Sequence, residues 1–116
     1  MDSKTRSYQF AIRVIKFIDK LESGISTQII AKQLLRAATS IGANIIEAQA
    51  SSSRKDFTNF FNHSLKSANE TKYWLGLLKD TNKADGEIID NLLKEANEIA
   101  NILGSSIITL KRKQKF

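Results

Sequence analysis

Apolar residues recur every three to four positions along most of the chain, and three polar interruptions divide the recurrence into four stretches. Phe10, Ala11, Val14, Ile15, Phe17, Ile18 and Leu21 define a first helix over about 5–21. Its apolar arc covers nearly half the circumference, wider than one core face requires, so this helix is expected to touch something outside its own fold. Glu22-Ser23-Gly24 then reads as a glycine C-cap. Ser26 reads as the next N-cap, with Ile25 and Ile30 at staple spacing. Ile30, Leu34, Ala37, Ala38, Ile41, Ile45 and Ala48 mark the core stripe of a second helix over about 27–50.

Ser51-Ser52-Ser53 makes the second break, and Ser53 with Asp56 has capping-box spacing. The third helix covers about 54–79, with Phe57, Phe60, Phe61, Leu65, Ala68, Leu75 and Leu78 inward. After the polar run Asp80–Gly86, a fourth helix covers about 86–111 on Ile88, Leu92, Ala96, Ile99, Leu103 and Leu110. Gly104-Ser105-Ser106 is the place where it is expected to bend or fray. The chain has no proline and only 5 glycines, which suits long helices. Four such helices with short connections predict one all-α domain over 1–116, an antiparallel up-down-up-down four-helix bundle.

Composition narrows the chemistry. The 116 residues contain no cysteine and one histidine, which excludes disulfides, thiolate or multi-histidine metal centres and a cysteine nucleophile. The residue three before His63 is Phe60, so the Glu-x-x-His pattern of di-iron bundles is absent. No serine stands in a strand–elbow glycine motif, and the glycines are isolated, so there is no phosphate-cradling loop. The reading is therefore not an enzyme, with no catalytic residue, cofactor or metal. No apolar run suits a signal peptide or a membrane span, and a cytoplasmic protein is expected.

Charge is more informative. The net charge is +6, and Lys111, Arg112, Lys113 and Lys115 supply +4 of positive charge in a basic tail over 111–116. Residues 1–40 carry seven positive and three negative side chains. A basic tail can neutralise phosphates and release their counterions. The competing reading is a solvated helix end.

A polar shoulder runs beside the core stripes of helices 2 and 3. Ser40, Asn44 and Glu47 project together on helix 2, and His63, Ser67, Glu70 and Trp74 project in the same sense on helix 3. Half-buried by angle, these groups need partners. They read as a network tying helix to helix or subunit to subunit, against a ligand or nucleic-acid contact. Tyr73 and Trp74 point about 100° apart, so one of them is expected at an interface or in solvent.

Arg36-Ala37-Ala38-Thr39-Ser40-Ile41-Gly42-Ala43-Asn44-Ile45-Ile46-Glu47, the run Ser53 to Phe61 with Asp56, Phe57 and Phe60, and Ser67 with Glu70 together resemble the bacterial 23S rRNA intervening-sequence, or S23, family. Ala48, Phe61, His63 and Lys66 depart from that family's usual pattern. The resemblance implies a four-helix bundle that assembles into a ring-like homopentamer. It also implies kinship in fold with the accessory variability protein of diversity-generating retroelements, which binds nucleic acid and a reverse transcriptase through a basic surface. Two readings follow. One is a non-enzymatic oligomer binding RNA, in preference to DNA, without sequence readout. The other is a protein-interaction scaffold with no nucleic-acid role.

Overall fold

The computed structural model describes residues 2–114, the side chain of Gln114 excepted. Four α-helices, with no strand among the described residues, occupy Ser3–Asp19 (α1), Ile25–Gln49 (α2), Arg54–Asp80 (α3) and Gly86–Gln114 (α4). They form an elongated body of 51 × 23 × 21 Å. α1 packs on α2 and α4, and α3 packs on the same two helices from the other side. The pairs α1/α3 and α2/α4 therefore face each other diagonally across one core. That core contains Phe10 and Val14 of α1 and Leu34, Ile41 and Ile45 of α2. Leu75 and Leu78 of α3 and Ile89, Ile99 and Leu103 of α4 complete it.

Caps set most of the boundaries. Asp2 accepts the Thr5 backbone N–H at 2.7 Å and starts α1. Ser53 accepts the Asp56 N–H at 3.1 Å, the backbone half of the expected capping box. The break after α1 differs from the expectation. α1 ends at Asp19, where Lys20 and Leu21 donate to Phe17 and Ile18 and tighten the final turn. Gly24 does not cap α1. It is the N-cap of α2, in an extended conformation that any residue can adopt. Ser26 lies inside the first turn of α2, and Ile25 stands in solvent, so the expected cap and staple do not form. Thr27, buried one residue later, draws the helix start toward the core.

In α4 the buried residue is Ile89, while Ile88 is exposed. The core direction is turned by Ala96, Ala100 and Ile107, and Ile89 lies on that row while Ile88 falls to its flank. Helix α4 also runs unbroken through Gly104-Ser105-Ser106. A glycine interrupts a helix only when nothing else holds it. Here Leu103 and Ile107, buried on either side, do so.

Two small residues fix the close approach of α1 to α2. A Cβ on Gly42 would sit 3.4 Å from the Cβ of Ser7. Ser7 is fully buried there. Across the next seam the buried Ser64 hydroxyl of α3 donates to the Ile41 carbonyl of α2 at 2.7 Å. Neither serine stands out in the sequence, because an isolated serine on a helix is usually a surface residue.

Candidate functional site

The end of the molecule that carries the α2–α3 connection is strongly basic. Lys111, Arg112 and Lys113 are exposed in the last turn of α4, where cations also complement the helix dipole. Lys115, the fourth tail cation, lies outside the described residues. Arg54 and Leu110 line one shallow groove with Ser51, Ser52 and Ser53, so the first turn of α3 lies beside the last turns of α4. Arg54 and Lys55 are both exposed. The tail cations thus share one end of the molecule with Arg54 and Lys55, which are 56 or more residues away in the chain. Nothing in the local sequence around Arg54 signals this. Only the packing of α3 on α4 brings them together.

The polar shoulder divides into separate local sets. Ser40 donates to the Arg36 carbonyl at 2.6 Å, and the Asn44 amide donates to the Ser40 carbonyl at 2.8 Å, both within α2. Glu70 accepts the Trp74 indole N–H at 3.3 Å and lies 3.9 Å from the Arg36 guanidinium, which links α3 to α2 at the surface. The Ser67 carbonyl accepts from Thr71 at 2.7 Å. Glu47 and His63 are exposed rather than half-buried. Their angle from the core stripe predicts a shoulder position, but the neighbouring helix does not cover that part of it. Tyr73 is exposed and packs edge-on against the half-buried Trp74 at 5.1 Å between ring centroids.

A second feature joins α1 to α4. Arg6 grips Glu95 through two hydrogen bonds, Nη2–Oε1 at 2.7 Å and Nε–Oε2 at 3.0 Å. Its Nη2 also lies 3.3 Å from Glu98. The Arg6 hydrogen bond holds the Glu95 carboxyl below its usual range, against the opposing effect of burial. The same partner raises the Arg6 guanidinium.

Toward the end of α1 and the start of α4 the seam opens into a cleft of about 650 Å³. Arg13 and Lys16 of α1, Lys20 at its C-cap and Lys83 of the α3–α4 connection line it. That connection is held by the end of α3. Asn82 takes φ 57°, its N–H donates to the Lys79 carbonyl, and the Lys83 N–H donates to the Leu78 carbonyl. This is a Schellman motif with asparagine in the left-handed position. Asp85 then caps α4 by accepting the Glu87 N–H at 2.8 Å. The i, i+3, i+7 spacing of Arg13, Lys16 and Lys20 was a readable signal in the sequence, masked because these residues looked only like interruptions of an apolar run.

Among the described residues, no group of three or more acidic or histidine side chains is placed to hold a metal ion. No helix among them is long and apolar enough to cross a membrane.

Comparison with known proteins places the chain. No functionally curated protein matches it. A crystal structure of a protein of unknown function from the S23 ribosomal protein family of Bacteroides thetaiotaomicron VPI-5482 is 40% identical, with a TM-score of 0.86. The match covers 91% of this chain and 98% of that one. The pattern that defines the 23S rRNA-intervening sequence proteins matches residues 1–105. By both sequence and fold, this chain belongs to the 23S rRNA intervening-sequence protein family.

Proposed function

We propose that the protein is a non-enzymatic, self-assembling bundle that binds nucleic acid, RNA in preference to DNA, through phosphate contacts and without reading sequence. The observation that carries this is that the exposed Arg54 and Lys55, at the start of α3, stand at the same end of the molecule as the exposed Lys111, Arg112 and Lys113, since Arg54 and Leu110 share one groove. Exposed cations on neighbouring helix ends suit a phosphate backbone, and their contacts add as released counterions. Asp56 is the one acidic side chain in that first turn of α3.

The finer architecture belongs to the same proposal. The short connections at 20–24, 50–53 and 81–85 and the pairing of sequential helices support an antiparallel up-down-up-down path. Self-association is supported by the outer face of α1 and α2. Tyr8 and Ile46 line an apolar groove of about 370 Å³ there, and Ile15 and Leu35 of the same two helices are also exposed. The pentamer is what the family resemblance implies, and five copies would carry a charge of about +30, enough to draw in polyanions.

The test is the affinity for a labelled single-stranded RNA as salt is raised, with native mass measured alongside. Binding should fall steeply with salt. Changing Lys111, Arg112 and Lys113 to Gln should weaken it for every sequence and reduce the salt slope by up to about 3. An affinity that barely changes between low and moderate salt overturns the reading. A five-fold native mass with no RNA affinity moves the weight to a protein scaffold, a role that the exposed Tyr73 favours.

A further inference from the structure

The cleft between α1 and α4 lies on a different face from both surfaces just described, and its lining is of another kind. Its rim is cationic. Arg13, Lys16 and Lys20 fall within an arc of about 60° along α1 and its C-cap, and Lys83 faces them from the connection. None of the four is ion-paired with a carboxylate among the described residues. Two carboxylates share the lining. They are Glu22, exposed on the wall, and Asp85, which caps α4, and four cations against these two leave the cleft with a net positive charge.

The floor is apolar. Phe17 and Leu21 rest on the core beneath it, and Ile88, 51% exposed, presents its side chain at the mouth. Ile88 lies off the buried row of α4, so its apolar side chain is left at the mouth of the cleft. The Arg6–Glu95 clasp closes the seam on one side, about 10 Å along the helix from Arg13, and so defines where the cleft stops.

We infer that this cleft is a docking groove for an acidic amphipathic helix of a partner protein. Charge complementarity selects the acidic flank and the floor selects the apolar stripe. Arg13, Lys16 and Lys20 span about two helical turns, so carboxylates at i, i+3 or i+4, and i+7 of a docked helix match them in register. A nucleic acid fits less well. A phosphate backbone would engage the cations and leave the apolar floor of Phe17, Leu21 and Ile88 unmatched.

The probe is a designed, fluorophore-labelled helix of about 16 residues, with leucines along one face and glutamates flanking them. Fluorescence anisotropy with the full chain should show saturable binding. A glutamate–glycine peptide of equal charge should bind on the order of tenfold more weakly. Combined Arg13→Glu, Lys16→Glu and Lys20→Glu changes should remove the binding. All three side chains are exposed, so circular dichroism should stay that of the wild type. Ile88→Ser should weaken the amphipathic helix and leave the glutamate–glycine peptide unaffected. Lys111→Gln with Lys113→Gln should change neither, which separates this groove from the RNA surface. Equal binding of the two peptides overturns the inference. So does displacement of the helix by an oligothymidylate at equal or lower concentration, which makes the cleft a polyanion surface. Unchanged binding by the charge-reversed protein also overturns it.

Discussion

Gly42 and Ser7 decide how near α1 can lie to α2. The 3.4 Å separation from a notional Gly42 Cβ to the Ser7 Cβ is already the edge of ordinary contact. Alanine at position 42 gains helix propensity of about 1 kcal/mol and loses part of it to the tight contact, so Gly42→Ala should be near neutral. Leucine has nowhere to go. Gly42→Leu should cost about 1–3 kcal/mol by forcing the helices apart, read as a lower urea midpoint. An unchanged midpoint would mean that the approach of the two helices is not limited by these residues. An angle on a helical wheel places Glu47 and His63 near the core edge, but exposure depends on which neighbour covers them, and none covers these two.

At the scale of elements, the stops were harder to place than the helices themselves. Two glycines looked like natural breaks, and neither acts as one. Gly24 starts α2 rather than ending α1, and Gly104 sits inside α4. The α3 terminus instead uses Asn82, a left-handed asparagine inside a polar run whose other members look equally plausible. Gly104 has open space where a Cβ would stand. Gly104→Ala should therefore stabilise the protein by about 0.5–1 kcal/mol, a rise in melting temperature of about 2–5 °C. A fall in melting temperature would show that α4 needs the flexibility of glycine at this point.

For the whole molecule, the clasp of Arg6 on Glu95 and Glu98 joins the first helix to the last and has a pH signature. The Glu95 carboxyl is held below its usual value of 4.5, chiefly by the Arg6 hydrogen bond. The folded chain therefore binds fewer protons there than the unfolded chain in acid. The clasp's contribution is fully present above that value and is lost as pH falls through the lower folded one. Glu95→Gln should cost about 1 kcal/mol near neutrality. Its stability should then decline less steeply than the wild type's below about pH 4.5. Parallel acid limbs in the two proteins would show that the clasp carries no linked proton.

The sequence by itself determined four helices, the core stripe of α2, the Ser53 cap and the family, because periodicity and capping are local and a helix closes its backbone hydrogen bonds within itself. Net charge and the tail cations were equally legible. Tertiary structure decided the rest. Whether Ile88 or Ile89 turned inward depended on the neighbours of α4. The buried bond from Ser64 to Ile41, the Arg6–Glu95 clasp and the approach of Arg54 to the basic tail each join residues far apart in the chain. Such contacts arise from how helices are set against one another. A single chain read in order holds the face of each helix but not the face that meets it.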